Sequence, residues 1–190
     1  MRNVIQSKKI AYIIFTITFL LVLILIFYKK KDAYDLLVLG DSNIGNFRED
    51  TAVTSIIASK LNIKVFNGGF GGTAAALDSA NKEAFIADAS SFASIADAIY
   101  NDDFSRILSI APIKDDGDLL YFDESLRNLA KIDFNKVKVL LIAYGTNDAL
   151  NGYSVEEYKN YLFSGVSKIH EKYPDIKIIL VTPFYNDKTA

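Results

Sequence analysis

The chain has 190 residues, 51% of them hydrophobic, with 21 Lys and Arg against 23 Asp and Glu and no cysteine. That length suits one domain plus an appendage, and the lack of cysteine excludes disulfides and thiolate metal sites. From residue 33 onward 15 basic residues face 22 acidic ones; this excess of negative charge argues against a nucleic-acid partner, because phosphate backbones are held by clustered positive charge.

Residues Ile10 to Tyr28 form an apolar and aromatic run relieved only by Thr16 and Thr18. As a helix the run would reach roughly 28 Å, close to the hydrocarbon thickness of a bilayer. A cleaved signal peptide, the alternative, has a shorter apolar core and a small-x-small site. Lys29-Lys30-Lys31-Asp32 supplies no such site. The expectation is a retained signal anchor, so that residues 1–32 hold a cytoplasmic stub and one transmembrane helix, with the membrane as a partner through residues 10–28. Three basic residues lie on each side of the run, so the charge rule for orientation barely discriminates.

After the run, strand and helix patterns alternate. Tyr34 to Leu39 is a short apolar run of the buried parallel-strand kind. Residues 48–61 read as a helix with Ile56, Ile57 and Leu61 on one face, and Ile63 to Phe66 as the second strand. The insertion at 74–135 is longer than one crossover helix requires. It reads as one or two Ala-rich helices over 73–100, an irregular stretch from Pro112 to Gly117, and a helix over 115–131. Lys136 to Ala143 is the third strand. Ser154 and Glu157 have the spacing of a capping box, and Tyr158, Tyr161, Leu162, Val166 and Ile169 make an apolar helical stripe. Ile176 to Val181 is the fourth strand. The pattern predicts an α/β fold with a parallel sheet and right-handed crossovers.

Three motifs stand where strands run out: Gly40-Asp41-Ser42-Asn43, Asn67-Gly68-Gly69-Phe70-Gly71-Gly72 and Gly145-Thr146-Asn147-Asp148. Strand C-termini of an open parallel sheet share one edge, where such folds bind ligands. A serine on a tight strand-to-helix turn presents its hydroxyl above the sheet, and Gly40 permits the turn. Asp-Ser is equally a common turn and helix-cap pair. Small residues in the second motif free backbone N–H groups for a developing oxyanion. Gly69 to Ala74 also satisfies a loose dinucleotide pattern, but it follows the second strand rather than the first. Asn147 offers a carboxamide donor, or forms a plain Asn-Asp turn; Asp148 is expected to cap or brace that turn.

In this order, on successive strand ends, the three motifs resemble the SGNH/GDSL family of serine esterases and acyl hydrolases, over roughly residues 34–184. The resemblance implies a flavodoxin-like sheet, here with four of five strands, in an SGNH hydrolase-like domain at 33–190. It implies Ser42 as nucleophile and as one oxyanion donor, Gly72 as the second donor and Asn147 as the third. It calls for no metal or organic cofactor. The implied substrate is a small ester or an acylated carbohydrate, with O-acetyl groups of an envelope polysaccharide as the specific guess. The domain is placed outside the cytoplasm, as a single-pass membrane protein.

One departure is serious. The family's last block, Asp-x-x-His, has no counterpart here. The single histidine, His170, has Ser167 three residues before it. Sixteen residues along the last helix would put it roughly 24 Å from the nucleophile. The expectation is a domain truncated before that block and inactive as it stands. The rival expectation is a membrane-anchored, non-catalytic protein that binds a glycan or acyl ligand in the same pocket.

Overall fold

A computed structural model describes residues 13–20, 31–77, 90–109 and 121–182. The chain divides into two compact units, Met1–Lys31 and Asp32–Ala190. In the first, residues 13–20 are helical and Phe15 stacks on Phe19 with ring centroids 6.3 Å apart; the rest of the expected span at 10–28 lies outside the described residues.

The transmembrane assignment is corrected here. Among the described residues no helix is both long and apolar enough to cross a membrane. The helix at Val155–Lys172 has 18 residues but carries Glu156, Glu157, Lys159, Lys168, Glu171 and Lys172. The single-pass fold, the membrane partner and the membrane localisation go with it.

The second unit is a four-stranded, all-parallel α/β sheet. Its strands are β1 (Leu36–Gly40), β2 (Val65–Gly69), β3 (Val139–Ala143) and β4 (Lys177–Leu180), in the order β2-β1-β3-β4. This is a flavodoxin-like order, with the direction of winding reversing between β1 and β3. The helices are α1 (Ser42–Gly45), α2 (Val53–Leu61), α3 (Phe92–Asn101), α4 (Ser105–Ser109), α5 (Tyr121–Leu129), α6 (Thr146–Leu150) and α7 (Val155–Lys172). A short 3₁₀ turn covers Phe134–Lys136.

Side chains alternate across each strand, so Leu37, Leu39, Leu140 and Ile142 share one face. They join Phe92, Ile95 and Ile99 of α3 and Leu162 and Ile169 of α7 in the main core. Each such side chain contributes about 1.5–3 kcal/mol on full burial. α3 and α7 meet closely at Gly165, where an added Cβ would lie 2.5 Å from the Phe92 ring. α7 begins with the capping box its sequence announces: Ser154 Oγ accepts from Glu157 N and the Glu157 carboxylate accepts from Ser154 N.

Two boundaries differ from expectation. The helix after β1 starts at Val53, not residue 48, because 46–52 form bends and turns with Ala52 extended before the helix. Asn67, Gly68 and Gly69 are strand rather than turn. The absence of side chains at 68 and 69 lets β1 and α1 press against them, so apparent turn composition here marks close packing.

Candidate active site

The register brings the three motifs together. Gly40 pairs with Gly69 on one side and with Ala143 on the other, so the chain leaves β1, β2 and β3 at one level. Phe70 N donates to Gly40 O at 2.8 Å and Asp41 N donates to Ala143 O at 3.3 Å. The turns after β1 and β3 flank the point where the winding reverses, the usual ligand crevice of such sheets.

Ser42 opens α1 and is half-buried. Asp41, buried before it, caps that helix: its carboxylate accepts from Asn43 N at 2.9 Å and from Asn43 Nδ2 at 3.0 Å. The Asp-Ser pair is therefore a helix cap and also a platform for the hydroxyl. Asn43 Nδ2 also donates to Thr146 Oγ1 at 3.2 Å, joining the first and third motifs directly. Gly40 has an ordinary φ, and what it supplies is room: an added Cβ would lie 2.6 Å from Ile44 and 2.9 Å from Ala143 O. Similarly, a Cβ on Gly69 would lie 2.5 Å from Gly45 N, so α1 seats directly on the end of β2.

Gly72 has φ +74°, and an added Cβ would meet nothing within 4 Å. Glycine is thus required there by conformation, on a side of the turn open to an incoming group. Thr73, fully buried, follows it and donates through Oγ1 to Phe70 O at 2.7 Å. Asn147 Nδ2 donates to Thr73 O at 2.7 Å. The carboxamide of the third motif is thereby fixed against the turn that carries Gly72. An amide nitrogen carries two hydrogens, and no other partner takes the second among the described residues.

Asp148 is buried and braces the neighbouring turn rather than its own. Its Oδ2 accepts from Ala75 N at 2.9 Å and its Oδ1 from Ala76 N at 3.0 Å. Burial raises its pKa, against the pull of those amides, and the Asp41 charge adds to the rise. Tyr144 is fully buried nearby, with no hydrogen bond of good geometry to its hydroxyl. Burial, and then Asp41, push its pKa far above the usual phenol range. Tyr158 OH donates to Tyr144 O at 3.0 Å, and its pKa too is raised by burial first and then by Asp148.

No protein-family model matches this chain, and no curated protein matches it. A solved structure does. It is a family two carbohydrate esterase from Clostridium thermocellum in complex with cellohexaose, 16% identical, with a TM-score of 0.43, covering 82% of this chain and 46% of that one. The chain therefore spans about half the length of that structure.

His170 is exposed in the last turn of α7. That helix starts beyond the β3 edge and returns to the start of β4, so its last turn is at the opposite edge from Ser42. The dinucleotide alternative finds no support in residues 73–77, which are not helical, while such a site opens a helix directly after the glycines; Asp88, an acidic residue at about the spacing that pattern needs, lies outside the described residues. Among the described residues no three metal-ligating side chains cluster.

Sequence reading missed Arg48. Its Nε donates to Gly45 O at 2.9 Å, its Nη1 to Asn67 O at 2.9 Å and to Ser125 Oγ at 3.1 Å, and its Nη2 to Gly69 O. One guanidinium thus binds α1 to the end of β2, using the fan of donors that only arginine has. A lone cation just after the serine motif was the available signal.

Proposed function

We propose that the edge formed by the turns after β1, β2 and β3 is an acyl-transfer site of the SGNH serine-esterase type, acting on ester groups of a carbohydrate, with O-acetyl groups as the favoured acyl unit. The observation that carries this reading is the 2.7 Å bond from Asn147 Nδ2 to Thr73 O. It sets a carboxamide beside Gly72, on the edge where Ser42 stands.

In this reading Ser42 Oγ attacks the ester carbonyl carbon as its proton passes to a base. The negative charge that develops on the carbonyl oxygen is met by the N–H groups of Ser42 and Gly72 and by the second Asn147 N–H. The alcohol leaves with a proton, and water attacks the acyl-serine to release the acid and restore the hydroxyl. The Ser42 hydroxyl has no hydrogen-bond partner among the described residues, and His170 is at the far end of α7. The same observation favours the second reading, a non-catalytic ligand-binding protein.

Added imidazole separates the two. With p-nitrophenyl acetate, the chain alone should turn over little, since removing the base of a serine triad costs on the order of 10⁶ in kcat, a figure from subtilisin. Millimolar imidazole should restore a rate that saturates with ester and disappears in Ser42→Ala. An imidazole-driven rate equal in wild type and Ser42→Ala would refute the esterase reading and leave ligand binding.

A further inference from the structure

Beneath the proposed oxyanion donors lies a polar layer with no direct part in the acyl chemistry. The turn that starts at Gly72 is suspended within it. Ala74 O and Ala75 O accept from Phe92 N and Ala93 N at the start of α3, both at 3.1 Å. On its other side the turn is held from the third motif and from Tyr153 just beyond it. Asn147 takes Thr73 O, Asp148 takes the N–H groups of Ala75 and Ala76, and Tyr153 OH donates to Leu77 O at 2.6 Å. Ala75 and Ala76 are buried, so without Asp148 their amides would have no water to turn to, and buried amides are almost always paired.

We propose that Asp148 is a positioning residue for the acyl-oxygen cradle: by clasping the Ala75 and Ala76 amides it sets the direction of the Gly72 N–H and, through Thr73 O, of the Asn147 carboxamide. The clasp stands on the hydrogen bonds alone; its catalytic consequence rests on the esterase reading. The chemistry requires a carboxylate. Two convergent N–H donors need two acceptor oxygens, whereas an amide of the same shape presents one oxygen and an NH₂ that opposes the second donor. The groups facing Asp148 make its charge costly to keep. Asp41 faces it from the β1–α1 turn, Tyr144 from the end of β3 and Tyr158 from α7, with no cation among these groups. A buried carboxylate kept in such company beside a crevice is a mark of a working site.

Amide exchange and kinetics on Asp148→Asn test this, with Gly165→Ala as a control destabilised elsewhere. Asp148→Asn should speed exchange at Ala75 and Ala76 by about tenfold or more relative to Leu37–Leu39, the factor expected from one lost hydrogen bond. Gly165→Ala should leave that ratio unchanged. In the imidazole-supported assay Asp148→Asn should lower kcat with KM held within about twofold, as loss of a transition-state contact requires. Uniform acceleration of all amides, or a loosened turn with unchanged kcat, would overturn the proposal. If wild type itself shows no Ser42-dependent rate, the esterase reading fails and the exchange ratio still decides the clasp. Should Asp148→Asn not fold, wild-type exchange decides: Ala75 and Ala76 should be protected to about the same degree as Leu37–Leu39, and exchange at those two amides near the unprotected rate would overturn the clasp.

Discussion

Gly72 and Gly69 are both glycine for reasons that substitution can tell apart. At Gly72 a methyl group meets nothing but must adopt φ +74°, a strain of about 1–2 kcal/mol for a residue with a Cβ. At Gly69 the same methyl would run into the backbone of Gly45 and the Ile44 side chain, and overpacking of that kind costs typically about 1–3 kcal/mol, occasionally more. Urea unfolding should therefore show both variants destabilised, with Gly69→Ala the worse. Equal midpoints to wild type at Gly72→Ala would contradict the left-handed turn. Asp148 gives a pH signature of its own. Burial raises its folded pKa above the unfolded value, so on acidification the folded chain binds this proton first. Stability from this group accordingly rises as pH falls through the folded pKa and is complete below the unfolded one. Wild type measured against Asp148→Asn should gain stability between neutral and mildly acid pH; a difference that falls over that window would show the sign to be wrong.

At the scale of elements, α7 is the part most legible from sequence. Its cap, stripe and end all follow from local chemistry, and Ser154→Ala should cost about 1 kcal/mol by removing the cap. Its partner α3 was blurred into a longer Ala-rich region, because alanine favours helix without marking a face. Their junction is set by Gly165 against Phe92, flanked by Lys168 on Asp97 at 2.5 Å and Lys172 on Ile99 O at 3.1 Å. Gly165→Ala should lower the thermal midpoint, since the Phe92 ring must move; an unchanged midpoint would show that the helices can part without cost. β2 misled for the opposite reason. Asn67-Gly68-Gly69 has turn composition, yet Arg48 and α1 hold it in the sheet through contacts made by residues about twenty positions away.

Over the whole molecule, alternating apolar runs and helical stripes disclose the parallel sheet, and with it the edge where the three motifs meet. The membrane span expected at residues 10–28 has no counterpart among the described residues, where no helix is long and apolar enough to cross a bilayer. Of the polar layer under the site, the sequence disclosed Asp148 as a turn brace and Asn147 as a donor, but not the turn they hold. Asp148, Tyr153 and Asn147 act on backbone groups of Thr73, Ala75, Ala76 and Leu77, and a backbone partner leaves no trace in residue type. The central claim is that Ser42 and Asn147 serve one acyl oxygen, which a double-substitution cycle in imidazole tests most directly. Asn147→Ala should lower the rate by about 10²–10³ when Ser42 is present and change nothing in a Ser42→Ala background. An equal loss in both backgrounds, or none in either, would contradict it.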